Sequence, residues 1–202
     1  MNRIASALAA AVLLALPVTA QHHEHAHDHD HDHRMADMTA GIERLSLPNF
    51  PVTSSDGVTA GLRDMLPHDA PLILSFTYTG CESLCAVTNA ILLGVEEDLL
   101  RANADEVVIA TISIDPANDT PEQLRTAKAQ IGAGEGWLWL TGGTSGTKPI
   151  LDTLRFPPGA IEDHDPIFLI GRPCSGRFTR VVGLADPQDL VSFTRDLPEC
   201  EA

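Results

Sequence analysis

The chain has 202 residues, 44% of them apolar and 20% charged, enough for one packed domain plus tails. Its formal charge of −15 at pH 7 excludes nucleic-acid binding through a general basic surface, because phosphate would be repelled. The same negative field favours cations and basic partner surfaces.

The first twenty residues read as a secretory signal peptide. Arg3 supplies the positive start, Ile4 to Leu16 is an apolar run, and Pro17-Val18-Thr19-Ala20 is a small-residue cleavage site. The run is shorter than the roughly 20 apolar residues a membrane span needs. The expected destination is the periplasm or another exported compartment, where disulfides persist. Membrane association follows only if the segment is left uncleaved.

Residues 21–41 form a His/Asp-rich tail. It holds His22, His23, His25, His27, His29, His31 and His33, seven of the nine histidines. So few apolar side chains cannot offset chain entropy, which predicts disorder. Imidazoles at this density make a loose site for Cu(II), Zn(II) or Ni(II). With cleavage after Ala20, His23 becomes the third residue, and a free amine, two amides and its ring form a square-planar Cu(II) or Ni(II) site. Cyclisation of Gln21 would remove that amine. The plain alternative is a solubilising tail or an expression artefact, but the interleaved Asp residues argue against a purification tag. Met35 and Met38 add two thioethers at short spacing.

The folded domain is expected over residues 42–202. Phe50 to Val58 reads as two short strands around the Asp56-Gly57 turn. Leu72 to Thr79 is a strand, and Ser83 to about Ala104 has helical period. Glu106 to Ile114 is a buried strand. Thr120-Pro121-Glu122-Gln123 opens a helix, with Thr as cap and Gln three residues on. Trp137 to Thr141 is a strand, and Thr147 to Leu154 is helical. Pro166–Ile170 and Phe178–Val182 form a strand pair around Gly171–Gly176, and Asp186 to Leu197 is a last helix.

This order is an α/β layer pattern. Two cysteines, Cys81 and Cys85, stand where the first core strand meets its helix. Together they predict a thioredoxin-like fold, a central mixed sheet flanked by helices with an N-terminal β-hairpin extension. If Cys85 opens or lies inside the helix, the pair shares one face and can chelate a soft metal ion or close into a disulfide. Four cysteines allow three pairings. The preferred one is a structural Cys174–Cys200 bridge, which leaves the close pair free for chemistry.

Three motifs then carry a resemblance. Phe76-Thr77-Tyr78-Thr79-Gly80-Cys81-x-x-x-Cys85, Ile114-Asp115-Pro116-Ala117-Asn118-Asp119-Thr120-Pro121, and Asp163-His164 ahead of Phe168-Leu169-Ile170 resemble the Sco/SenC proteins. These are thioredoxin-fold copper chaperones of cytochrome oxidase assembly. The resemblance implies that Cys81, Cys85 and His164 bind one copper ion, as Cu(I) and also Cu(II), and that a cytochrome oxidase subunit or another cuproprotein receives it. The family usually has Pro-Asp-x between the cysteines and Pro after the second. Here Glu82-Ser83-Leu84 and Ala86 stand there, so ligand types and spacing are kept, and the departure bears on partner surface and redox tuning. Pro166 lies where thioredoxin-like proteins place a cis-proline, which leaves the isomer of Asp165-Pro166 open.

Two thiolates and one imidazole suit Cu(I) and leave room for ligand exchange. Cys81, near a helix N-terminus, is the expected attacking thiolate. Asp115 and Asp163, close to the motifs in sequence, are candidates to orient His164. Tyr78, Trp137 and Trp139 read as packing residues and His68 as a loop residue. Competing readings are a thiol–disulfide reductase that keeps a partner's copper-site cysteines reduced, a peroxidase, a metal buffer dominated by the tail, and an inert disulfide.

Overall fold

The run Leu72-Ile73-Leu74-Ser75-Phe76-Thr77 forms strand β4 (Leu72–Thr77), buried at every position. A strand apolar on both faces belongs inside a sheet covered by helices on both sides. The computed structural model describes residues 38–81, 84–161 and 164–200. In it β4 pairs in parallel with β5 (Val108–Ser113) and antiparallel with β7 (Ile167–Arg172). Beyond β5 comes β6 (Leu138–Thr141), also parallel; beyond β7 comes β8 (Arg177–Val182), antiparallel. The parallel strands are joined through helices α2 (Leu84–Ala102) and α3 (Pro121–Ile131). This mixed arrangement is thioredoxin-like.

Three further strands extend it. The hairpin of β2 (Pro51–Ser54) and β3 (Thr59–Gly61) continues the sheet past β6, and β1 (Thr39–Arg44) pairs with β8 at the opposite edge. Among the described residues the order is β1-β8-β7-β4-β5-β6-β2-β3.

The pleat sorts side chains onto two faces. Leu72, Leu74 and Phe76 pack with Ala110 and Ile112 beneath Leu62 of α1 (Leu62–Met65) and Ile150 of α4 (Gly143–Thr153). Ile73, Ile109, Phe168 and Ile170 pack on the other face with Leu92, Val95 and Leu99 of α2, Leu124 of α3, and Leu190 of α5 (Pro187–Ser192). The second face also buries hydroxyls. Ser75 and Thr111, register partners, lie 2.8 Å apart, and Trp137 Nε1 donates to Thr111 Oγ1 at 2.8 Å.

Several elements differ from the sequence reading in extent. The fold begins at Thr39, upstream of Ile42, because β1 is an exposed edge strand held through backbone pairing to β8; Ile42 itself is 70% exposed. No apolar alternation marks it. Helix α4 starts at Gly143 rather than Thr147, in a glycine-rich stretch whose backbone freedom argues against a helix from sequence. Helix α3 starts as expected, with a capping box between Thr120 and Gln123, and ends on Gly132 at φ 74°, in the left-handed region. Helix α5 stops at Ser192, short of Leu197. Among the described residues, no helix is long and apolar enough to cross a membrane. The signal segment and the seven tail histidines lie outside the described residues.

Cys174 follows β7 and is disulfide-bonded to Cys200, with the two Cα atoms 5.4 Å apart. The bridge ties the chain beyond α5 to the β7–β8 connection. Closing a loop of sequence separation 26 restricts the unfolded chain. Removing it with Cys174→Ser/Cys200→Ser is expected to cost about 3 kcal/mol. Urea unfolding of the double variant against the native chain, with copper absent, measures this directly.

Candidate metal centre

Strand β4 runs out at Thr77, and the chain turns through Tyr78, Thr79 and Gly80 to Cys81. The Cys81 N–H donates to the Tyr78 carbonyl at 3.3 Å, which closes the turn. Helix α2 begins at Leu84, so Cys81 precedes the helix while Cys85 lies in its first turn. The two cysteines therefore do not share a helix face. Instead the Cys85 N–H donates to Cys81 Sγ at 3.0 Å. First-turn N–H groups have no partner within their own helix. A sulfur placed there satisfies one of them and faces the positive end of the helix dipole, where anions are favoured.

The two sulfurs, both free thiols, are unlike. Cys81 is half-buried; Cys85 is 3% exposed. Burial pushes the Cys85 thiol up from its ordinary value of 9.0 to about 12, with the hydrogen bond and charge of Cys81 acting in the same direction. The Tyr78 backbone and the Thr77 side chain offset part of this. At neutral pH Cys85 is protonated and sheltered, and Cys81 is the sulfur within reach of solvent.

His164 lies in the segment ahead of β7, half-buried. Its Nδ1 is 3.0 Å from the Asp165 carbonyl oxygen. A carbonyl can only accept, so that contact places the proton on Nδ1 and leaves the Nε2 lone pair for a ligand. The ring meets Phe156 edge-on, centroids 5.0 Å apart, and Phe156 meets Phe76 at 4.8 Å. This aromatic row connects His164 to the end of β4 from which the cysteine turn departs. The Asp165–Pro166 bond is trans.

Among the described residues, no three His, Cys, Asp or Glu side chains are gathered closely enough to hold a metal ion. The structure brings Cys81 and Cys85 together and leaves His164 apart as a third group. The expected orienting role of Asp115 is not met. Its carboxylate accepts from Asn118 Nδ2 at 2.7 Å, while a backbone carbonyl partners the His164 ring. Asp163 lies outside the described residues. His68 is exposed in the loop between α1 and β4, and its carbonyl accepts the Cys174 N–H at 2.9 Å, which joins that loop to the connection carrying the disulfide.

Sequence reasoning passed over one residue at this end of the sheet. Asp119, named from sequence only within the Ile114–Pro121 motif and given no role of its own, is 2% exposed. It accepts the Thr79 N–H at 3.0 Å, the Thr79 hydroxyl at 2.6 Å and the Ser113 hydroxyl at 2.6 Å. The available signal was redundancy: Thr120 already caps α3, so a second capping-type residue immediately before it has no role in the helix.

A dithiol at the β4–α2 junction of a thioredoxin-like sheet defines a thioredoxin-fold thiol protein. The SCO1/SenC family model matches residues 43–157, more than half of the chain, and the protein belongs to that family. The SCO1 protein homolog of Bacillus subtilis (strain 168) is 34% identical over 71 residues, 35% of this chain and only 36% of the relative's length. Among solved structures, BsSco, a member of the Sco family of cytochrome c oxidase assembly proteins in which a disulfide switch is identified, aligns at TM-score 0.61. It is 24% identical, over 75% of this chain and 92% of that one. Yeast Sco1 with copper bound aligns at TM-score 0.62 and 21% identity, over 78% of this chain and 97% of that one. At these identities the structural matches establish the fold.

The buried Cys85 thiol makes stability pH-dependent with a definite sign. Below pH 9 both the folded and unfolded chains keep the proton; from 9 towards 12 only the unfolded chain releases it, so the fold loses stability as pH rises. In chemical denaturation of reduced protein at rising pH, the native chain is expected to lose stability faster than Cys85→Ala. Parallel pH profiles would contradict the burial of a protonated thiol.

Proposed function

We propose that this protein is an exported copper metallochaperone. Copper is its cargo, held by Cys81, Cys85 and His164 and passed to a respiratory oxidase subunit or another cuproprotein. The observation that carries the reading is the unlike thiol pair at the head of α2, with the free Nε2 of His164 joined to the same end of the sheet by Phe156 and Phe76. Family membership supports it, as do copper-bound yeast Sco1 and the oxidase-assembly family of BsSco.

The chemistry follows from the donors. Thiolates select soft Cu(I), and an added imidazole also supports Cu(II). Binding requires the Cys85 proton to leave, so affinity rises with pH. Among the described residues the three groups are not gathered, so this reading has His164 close on the cysteines when copper is held. A ligand that must travel to complete the site is also one that can leave, which suits a protein that hands its ion on.

The remaining assignments rest on sequence. The segment 1–20 directs export, and the histidines of the 21–41 tail capture Cu(II), Zn(II) or Ni(II) ahead of the core site. A second reading, a thiol–disulfide reductase acting on a partner's cysteines, is favoured by the free dithiol and by Cys81 Sγ on the Cys85 N–H.

The test is an anaerobic Cu(I) competition titration on the full chain with the seven tail histidines replaced by Asn. One tight equivalent is expected, weakened by about 100-fold or more in Cys81→Ser and by about tenfold or more in His164→Ala, as loss of a ligand dictates. Release of at least one proton predicts about tenfold tighter binding per pH unit between pH 6 and 8. Tight binding indifferent to His164→Ala supports the reductase instead. Loss of all tight binding with the tail histidines moves metal handling to the tail.

A further inference from the structure

Asp119 is a buried carboxylate with three donors. Its Oδ1 accepts both the N–H and the hydroxyl of Thr79, two residues before Cys81, and its Oδ2 accepts the hydroxyl of Ser113. Ser113 ends β5 and is the register partner of Thr77, the last residue of β4. The Ser113 hydroxyl also accepts the Asp115 N–H at 3.1 Å, so its direction is fixed on both sides. One buried carboxylate thus clamps the ends of two parallel strands at the point where the dithiol turn departs.

The clamp reaches the cysteines through one peptide unit. The Thr79 N–H, bound by Asp119, belongs to the same rigid plane as the Tyr78 carbonyl, which accepts the Cys81 N–H. That plane is therefore pinned at both ends. Rotating it would release the Cys81 backbone and carry Cys81 Sγ off the Cys85 N–H. Because the Cys81 Sγ accepts the Cys85 N–H, the segment that places Cys81 also sets how the two sulfurs stand to one another.

We infer that Asp119 is a positioning residue for the Cys81/Cys85 dithiol: by fixing the Tyr78–Thr79 peptide it holds the pair in its reduced geometry and sets its balance against the disulfide. The inference rests on the reading of this pair as the functional dithiol. The reaction concerned is exchange with glutathione disulfide. Cys81 and Cys85 lose two protons and two electrons and form one S–S bond, and the glutathione disulfide bond breaks to give two glutathione thiols.

The experiment equilibrates the full chain in glutathione redox buffers and compares Asp119→Ala, Asp119→Asn and Thr79→Val with the native sequence. Circular dichroism and thermal unfolding report whether each folds. Asp119→Ala is expected to shift the equilibrium about tenfold toward the disulfide, equivalent to about 30 mV for a two-electron couple. Thr79→Val, which removes only the hydroxyl bond, is expected to shift it at least threefold in the same direction. Asp119→Asn keeps an oxygen for Thr79 and stays within threefold of native. A shift below threefold in folded Asp119→Ala overturns the inference, and if that variant does not fold, the same result in Thr79→Val does. A shift in Asp119→Asn as large as in Asp119→Ala makes charge rather than turn geometry responsible, and also overturns it. Should the native chain form no Cys81–Cys85 disulfide, the dithiol reading fails. The positioning role is then read from the rate of Cys81 alkylation by iodoacetamide, expected to fall at least threefold in Thr79→Val and Asp119→Ala, with an unchanged rate overturning it.

Discussion

The hydrogen bond from the Cys85 N–H to Cys81 Sγ is the contact on which the chemistry of this protein turns. It makes one sulfur the partner of a helix N-terminus and leaves the other buried in that helix's first turn. Everything that places those two atoms comes from the sheet. β4 is buried on both faces, so its end is fixed in depth. Its parallel pairing with β5 brings Ser113 beside Thr77, and the loop after β5 returns Asp119 to Thr79. The turn that carries Cys81 is thus held by long-range contacts as well as by its own backbone.

The asymmetry of the two thiols has a functional sense. A sheltered, protonated Cys85 is poorly placed to attack anything in solution, whereas Cys81 is within reach of a partner. Incoming Cu(I) or an incoming disulfide would meet Cys81 first and Cys85 second. The same order, reversed, gives a route for release. Metallochaperone and reductase readings share this first step and part only at His164. That residue's ring is already oriented by the Asp165 carbonyl and Phe156, with Nε2 left for a ligand.

The sequence made the layer order, the dithiol position and the α3 cap legible, because each depends on local signals: apolar runs, a CxxxC spacing, a Thr-Pro-x-Gln start. It missed β1, whose exposed side chains carry no alternation and whose strand state comes from β8. It also put the cysteines on one helix face if Cys85 lay in the helix, whereas Cys81 stands outside α2. Asp115 looked like the carboxylate of the site from its position in the chain, but Asn118 occupies it, while Asp119, four residues on, reaches the dithiol turn. Side-chain partners across 40 residues are a product of topology, and no spacing rule exposes them.

In the proposed site copper is held by two sulfurs of the folded domain and one nitrogen of His164. X-ray absorption at the copper edge, on the full chain loaded with one equivalent of Cu(I), tests it most directly. Two sulfur scatterers and one imidazole nitrogen are expected around the metal, with the nitrogen contribution lost in His164→Ala. A shell of nitrogen and oxygen alone, unchanged by that substitution, would contradict it.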